Sequence, residues 1–324
     1  MNKNNNTSTH SGHGRVVVIG SLNMDLVVRA ARMPHPGETL VGESFAQVPG
    51  GKGGNQAVAA ARLGAQVSMI GRVGNDANGN QLKQGLEKEG IDCTGVSGDP
   101  HLPTGVAVIT VDDASQNAIV IVAGSNGALT SEAVAEHEQT IAQAAVVVCQ
   151  LESPGETVFE AMQIARRNGC VVVLNPAPVT GPLTRAWLET VDFLIPNEIE
   201  AAELSGVKVV SPETARAAAW ALREQGARHV IVTLGAQGVF VLGADEGREG
   251  GRHYPARRVE AIDTTAAGDT FVGGFCAALA AGRASDDAVR FGLAAAALSV
   301  TRAGAQPSIP YLHEIESSPG VPVP

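Results

Sequence analysis

Asp269 closes the run Asp263-Thr264-Thr265-Ala266-Ala267-Gly268-Asp269, in which three residues with little or no side chain precede an acid. At the start of a helix, such residues let a ligand oxygen reach the backbone N–H groups that the first turn leaves unpaired. The helix expected over 270–282 is rich in Ala and Phe, so it would bury against a sheet and fix the direction of its dipole. A carboxylate beside such an anion cradle suits removal of a proton from a hydroxyl while the cradle steadies a phosphoryl group under attack. The competing reading is that Asp269 merely caps the helix, since Asp is among the preferred capping residues.

Four other segments carry polar groups in patterns that suit a ligand. In Gly20-Ser21-Leu22-Asn23-Met24-Asp25, Asn23 and Asp25 offer an amide and a carboxylate at alternate positions, an arrangement for vicinal hydroxyls or, equally, an ordinary Asx turn. Gly50-Gly51-Lys52-Gly53-Gly54-Asn55-Gln56-Ala57 sets four glycines before a helix, either to let a ligand touch the backbone or to make a flexible turn. It lacks the spacing of a P-loop and of the dinucleotide fingerprint. Asn197 and Glu200 lie three apart at the start of a helix, where they would hold a hydrated magnesium ion or phosphate oxygens, or close a capping box. Thr233-Leu234-Gly235-Ala236-Gln237-Gly238 follows an apolar run and suits a loop against a nucleotide.

The elements that must position these segments are legible as short β-branched runs alternating with Ala-rich stretches, the form of a parallel sheet covered by helices. Strands are predicted at 16–19, 67–70, 146–148, 171–174, 193–195 and 230–232, and helices at 55–63, 78–88, 157–168, 214–225 and 288–301. Two regions break the alternation. Residues 25–48 and 104–122 read as strand pairs that would form a small lid over the mouth of the main domain, excluding water during transfer.

Composition is that of a globular chain: 324 residues, 44% hydrophobic and 17% charged. A formal charge of −10 argues against a nucleic-acid or anionic-membrane binder. The four cysteines are widely spaced, so neither a disulfide framework nor a zinc site is expected, and the histidines show no metal-ligand spacing. No apolar run approaches a bilayer-spanning length. Residues 1–14 contain no signal peptide and are expected to be a disordered tail, as 317–324 are expected to be loose, which leaves a cytoplasmic domain over 15–316.

Together these segments resemble the ribokinase branch of the carbohydrate-kinase family, which also contains adenosine kinases and fructokinases. The resemblance runs from about Arg15 to Ile315 and rests on the Gly50 to Ala57 and Asp263 to Thr270 runs. It extends to Gln150-Leu151-Glu152-Ser153-Pro154, Asn175-Pro176-Ala177-Pro178 and Gly304-Ala305-Gln306-Pro307-Ser308. It implies a three-layer α/β fold, with a mostly parallel central sheet between helices and a β-sheet lid that pairs two subunits into a homodimer. The implied reaction is ATP-dependent phosphorylation of D-ribose at its 5-hydroxyl. Asp269 would be the base, with Ala266, Ala267 and Gly268 as the cradle. Asn23, Asp25, Gly51, Lys52, Gly53, Gly54, Asn55 and Glu152 would bind sugar. Asn197, the Thr233 to Gly238 loop and Gly268 would face ATP, with Glu200 acting through hydrated Mg2+. A K+ site would map to Asp263, Thr265, Ser299, Arg302, Gly304 and Ser308, mostly through carbonyl oxygens. A kinase for 2-deoxyribose or another pentose, and a sugar sensor without turnover, are the rival readings.

Overall fold

The computed structural model describes residues 14–114 and 116–317. The tails expected at 1–14 and 317–324 lie outside those residues except at their inner edges. There Gly14 N donates to Ala280 O (2.9 Å) and Ser317 N to His313 O (3.2 Å), tying both to the body.

The strands in chain order are β1 (Arg15–Ile19), β2 (Asn23–Arg29), β3 (Ser44–Gly50), β4 (Gln66–Gly74), β5 (Asp92–Asp99), β6 (Gly105–Val111) and β7 (Asn117–Val122). They continue as β8 (Val146–Cys149), β9 (Val171–Leu174), β10 (Phe193–Leu194), β11 (His229–Thr233), β12 (Val239–Leu242) and β13 (Arg252–Tyr254). The helices are α1 (Lys52–Arg62), α2 (Ala77–Lys88), α3 (Ser131–Ala135), α4 (Glu138–Ala142), α5 (Gly155–Arg167) and α6 (Arg185–Thr190). After them come α7 (Glu198–Ser205), α8 (Pro212–Gln225), α9 (Ala267–Ala280), α10 (Ser285–Ser299) and α11 (Leu312–Glu316).

Nine strands form the central sheet in the order β13-β12-β11-β10-β9-β8-β1-β4-β5. From β11 to β5 every pairing is parallel; the β11–β12 and β12–β13 pairings are antiparallel. The valine runs of β1, β8 and β9 are buried because helices cover both faces. One face packs on α1, α9 and α10 around Phe271, Phe275 and Phe291, and the other on α5 and α8 around Met162 and Leu222.

The other sheet has the order β3-β2-β6-β7. The expected strand pairs are both present, and the parallel β2–β6 pairing joins them into a single sheet. Its β7 edge is apolar yet exposed, from Ile119 to Val122. Neither β5 nor the edge pair β12 and β13 was expected: β5 is largely polar and β13 is three residues long, so neither carries an apolar run, whereas the apolar run of β12, Val239–Leu242, was overlooked.

The predicted helices begin one to three residues earlier than expected, and at two of them the difference bears on the site. Helix α1 starts at Lys52 rather than Asn55, so Gly53 and Gly54 lie inside it. Their role is close approach and not flexibility: a Cβ at Gly53 would sit 2.7 Å from the Gly20 carbonyl carbon. Helix α9 starts at Ala267 rather than Thr270, which places Asp269 inside its first turn.

Candidate active site

Asp269 does not cap α9. The N-cap is Ala266, and the Asp269 side chain turns away from its own helix toward α1. Its Oδ2 accepts from Asn55 Nδ2 (2.9 Å) and its Oδ1 from Gln56 Nε2 (3.0 Å). Only 8% of the residue is exposed. Burial raises its pKa; the Lys52 ammonium and the two amides oppose that rise, and Glu152 adds to it. Lys52 is itself held charged. Burial pulls its pKa down, but Asp269, Glu152 and Glu200 outweigh that and leave it above the ordinary value.

The cradle forms through one strained residue. Ala266 has φ 58° and ψ 12°, and among the described residues it is the only non-glycine with positive φ. That turn delivers the chain into α9 with the Gly268 and Asp269 N–H groups free of any backbone partner among the described residues. The cradle is narrower than expected, because Ala267 N already donates to Thr264 O (3.2 Å).

A cavity of about 200 Å3 opens against this turn, lined by Gly268 and Asp269 together with Lys52, Asn197, Glu200 and Thr233. The capping box at α7 is present: Glu200 N donates to Asn197 Oδ1 (2.8 Å), and Asn197 N (2.9 Å) and Nδ2 (2.9 Å) donate to the Glu200 carboxylate. Glu200 nevertheless lines the cavity. Burial raises its pKa, against the lowering effect of the Asn197 N–H and Lys52. The 233–238 segment is a tight turn in which Leu234 N donates to Gly238 O (2.8 Å). The Leu234 side chain is buried in the core, so this residue offers a ligand its backbone alone.

Asn23 and Asp25 lie on β2 rather than in a turn, and share one face because strand side chains alternate. Asn126 fixes the Asn23 amide by donating to its Oδ1 (2.8 Å), which leaves the Asn23 NH2 as the donor end. Asp25 is 9% exposed, and among the described residues no group donates to its carboxylate. Burial, with the charges of Glu152 and Asp269, raises its pKa to about 7. It lies against Gly50, where a Cβ would meet Asp25 Oδ2 at 2.3 Å.

Two expected sugar ligands are instead engaged with the protein, and a third, Glu152, is engaged through one of its two oxygens. Gly53 N donates to Ser21 Oγ (3.4 Å) and Gly54 N to Ser21 O (2.9 Å), so neither N–H is available to a ligand. Glu152 Oε2 accepts from Ser21 Oγ (2.5 Å) and from Lys52 N (3.1 Å), which places its charge at the open end of α1. Gln56, Gln150, Asn126 and Asn175 were missed as site residues, although Gln56, Gln150 and Asn175 stand inside motifs already singled out. Gln56 stands directly after Asn55 at the polar start of α1, before its Ala-rich run, and its place beside Asn55 is the signal that would have found it.

A parallel sheet with its ligand groups beyond the strand ends, a lid sheet and a buried carboxylate at a helix start make a specific combination. The family model for pfkB family carbohydrate kinases matches residues 14–312. The chain belongs to this family. A ribokinase of Haemophilus influenzae is 46% identical over 299 residues, covering 92% of this chain and 96% of that protein. A deoxyribokinase of Salmonella typhi is 37% identical, covering 92% and 96%. The structure of Arabidopsis thaliana ribokinase complexed with ribose and ATP superposes with a TM-score of 0.88 at 30% identity, covering 94% of this chain and 98% of that one. The pfkB chain described here is thus an enzyme of the ribokinase kind, a phosphotransferase with an alcohol group as acceptor.

Of the residues expected at a K+ site, Thr265 and Gly304 are bonded to Asp263. Its Oδ1 accepts from Thr265 N (2.9 Å) and Oγ1 (2.6 Å), and its Oδ2 from Gly304 N (2.8 Å). Burial works against these bonds, yet they hold the Asp263 pKa below its ordinary value. The Arg302 guanidinium turns to Glu314, while Arg302 N donates to Ser299 O (3.0 Å). Ser308 is fully buried. Among the described residues no helix is long and apolar enough to cross a membrane.

Proposed function

We propose that this protein phosphorylates D-ribose at the 5-hydroxyl with ATP, giving D-ribose 5-phosphate and ADP. The observation that carries this reading is the Asp269 carboxylate, buried and held at both oxygens, in the same helical turn as the free Gly268 and Asp269 N–H groups. Asp269 takes the proton from the sugar hydroxyl, the hydroxyl oxygen forms a bond to the γ-phosphorus, and the bond to the bridging oxygen of ADP breaks. The Gly268 and Asp269 N–H groups face the charge on the migrating group. Lys52 supplies the cation beside them. Asn23 and Asp25 grip the sugar hydroxyls from the lid, with Asn55 and Gly51 on the opposite side.

Asn197, Gly268 and the Thr233 to Gly238 turn would hold ATP, and Glu200 is the carboxylate that would take hydrated Mg2+ at the phosphates. Magnesium supplies charge neutralisation there when bound. K+ at the Asp263 loop, through Thr265, Ser299, Arg302, Gly304 and Ser308, would stiffen the turn that ends in Ala266. The exposed Phe45 and Ile119 to Val122 side chains of the lid form an apolar surface that a second copy would cover as a homodimer. Four buried, unpaired cysteines agree with a reducing cytoplasm.

The test is ATP consumption by the purified protein with Mg2+ and K+, comparing D-ribose, 2-deoxyribose, D-fructose, adenosine and no sugar. Selective turnover with ribose supports the reading. Preference for 2-deoxyribose, which the 37% identity to a deoxyribokinase makes the second reading, would change the sugar and keep the chemistry. Silence with every acceptor would favour a sensor. Replacing K+ by Na+ is expected to slow turnover; equal rates would remove the cation site.

A further inference from the structure

Gln56 has no exposed surface, and all of its amide is in use. Its Nε2 donates to Asp269 Oδ1 (3.0 Å) and to Asn175 Oδ1 (3.1 Å), and its Oε1 accepts from Gln150 Nε2 (2.7 Å). The orientation of that amide is dictated by its neighbours. The Asp269 carboxylate can only accept, and Asn175 presents its oxygen because its own Nδ2 donates to Ile195 O (2.9 Å). Rotating the Gln56 amide by half a turn would set its oxygen against two acceptors and its nitrogen against a donor. Gln150, Asn175 and Ile195 follow β8, β9 and β10 in the chain, so two strand ends meet at one residue of α1 and a third holds Asn175 in place.

We infer that Gln56 is a positioning residue for the reaction. It holds the Asp269 carboxylate in one orientation and keeps its proton affinity low enough for Asp269 to accept the hydroxyl proton. The inference rests on the reading of Asp269 as the base. Asn55 holds only the other oxygen, so without Gln56 the carboxylate can swing about that bond. The network also explains Gly20, because a Cβ there would lie 1.9 Å from Gln150 Oε1. Among the described residues Gln150 Oε1 has no partner, a sign that the Gln150 amide is oriented for the benefit of Gln56.

The other charges facing Asp269 are Lys52 from α1, Glu152 from the loop after β8, Asp25 from β2 and Glu200 from α7. Only Lys52 favours the ionised base. Removing the Gln56 donor therefore shifts the balance toward the protonated acid, and replacing it with a carboxylate shifts it further.

The experiment is the pH profile of kcat, with the sugar KM at each pH, for wild type, Gln56→Met, Gln56→Glu, Gln150→Met and Asp269→Asn. The acid limb of kcat is expected to move up by about one pH unit in Gln56→Met and further in Gln56→Glu. At the plateau, kcat should fall by about tenfold or more while the sugar KM changes by less than about threefold. Gln150→Met, which loosens Gln56 without touching Asp269, should move the limb the same way by less, and it serves if the Gln56 variants do not fold. Limbs that stay at the wild-type pH while Asp269→Asn is inactive would overturn the positioning role alone. Full turnover by Asp269→Asn would remove the base as well.

Discussion

Asp25 and Asp269 are both buried carboxylates of one cleft, yet they are treated in opposite ways. Asp269 is gripped at each oxygen by an amide and stands near the ammonium of Lys52. Asp25 receives no hydrogen bond from any described residue, and burial, with two neighbouring acids, pushes its pKa to about 7. On the proposed reading the contrast separates two tasks. A base must hold one geometry before the hydroxyl arrives, whereas a group that binds hydroxyls must keep its lone pairs for the ligand. The donors missing around Asp25 are those a sugar would bring.

The comparison breaks most directly at Asp269. Asp269→Asn keeps the shape and the possibility of hydrogen bonding but removes the base, so kcat should fall by roughly 10²–10⁴-fold with sugar binding retained, measured by turnover and by calorimetric titration. Unchanged turnover would place the chemistry elsewhere.

Asp25→Asn should act on binding, raising the sugar KM by roughly 10–100-fold through loss of a charge-assisted hydrogen bond. In the wild type the sugar KM should rise as pH falls below about 7, where Asp25 takes up its proton, and this dependence should flatten in the variant. Stability should move the other way. The folded-state pKa lies above the unfolded value of 3.8, so the contribution of Asp25 is fully present below pH 3.8 and is lost as pH rises through about 7. The variant should accordingly be more stable than wild type at pH 8, on the order of 1–4 kcal/mol, and little different at pH 4, as urea unfolding at the two pH values would show.

Lys52→Met sharpens the contrast from the Asp269 side. Without the ammonium, the acid limb of kcat should move up by about one pH unit. The KM profile set by Asp25 should keep its midpoint, because Asp25 is raised by burial, Glu152 and Asp269 and owes little to Lys52.

The smallest effect is expected at Ala266. Ala266→Gly relieves a left-handed backbone worth about 1–2 kcal/mol but adds about 0.5–1 kcal/mol of unfolded-state entropy, so thermal unfolding should change little. Ala266→Val, with a branched side chain at φ 58°, should be clearly destabilised.

Much of this molecule was legible in the chain. The β-branched runs marked the buried parallel strands because such strands need apolar residues on both faces. The small residues before Asp269 and the glycines around Lys52 marked close approach of backbone to something else. Local signals failed where one segment served two ends. Gly53 and Gly54 read as ligand contacts, yet their N–H groups are taken by Ser21, and the missing side chain makes room for the Gly20–Ser21 backbone at Gly53 and for the Leu22 and Gln306 side chains at Gly54. The capping readings of Asn197 and Asp269 looked alike in sequence. Only the first is true, because Glu200 lies within reach of Asn197 along one helix, while the partners of Asp269 stand more than two hundred residues away.

The sequence by itself determined the class of fold, the order of its layers and the segments that carry polar groups after buried strands, since periodicity and glycine placement are local properties of the chain. The tertiary structure alone decided which of those groups meet. The junction of Asn55, Gln56, Gln150 and Asn175 around one carboxylate depends on the packing of α1 against α9 and on the alignment of three strand ends. Hydrogen bonds of that kind leave no period in the chain, because each partner is set by the position of a different element.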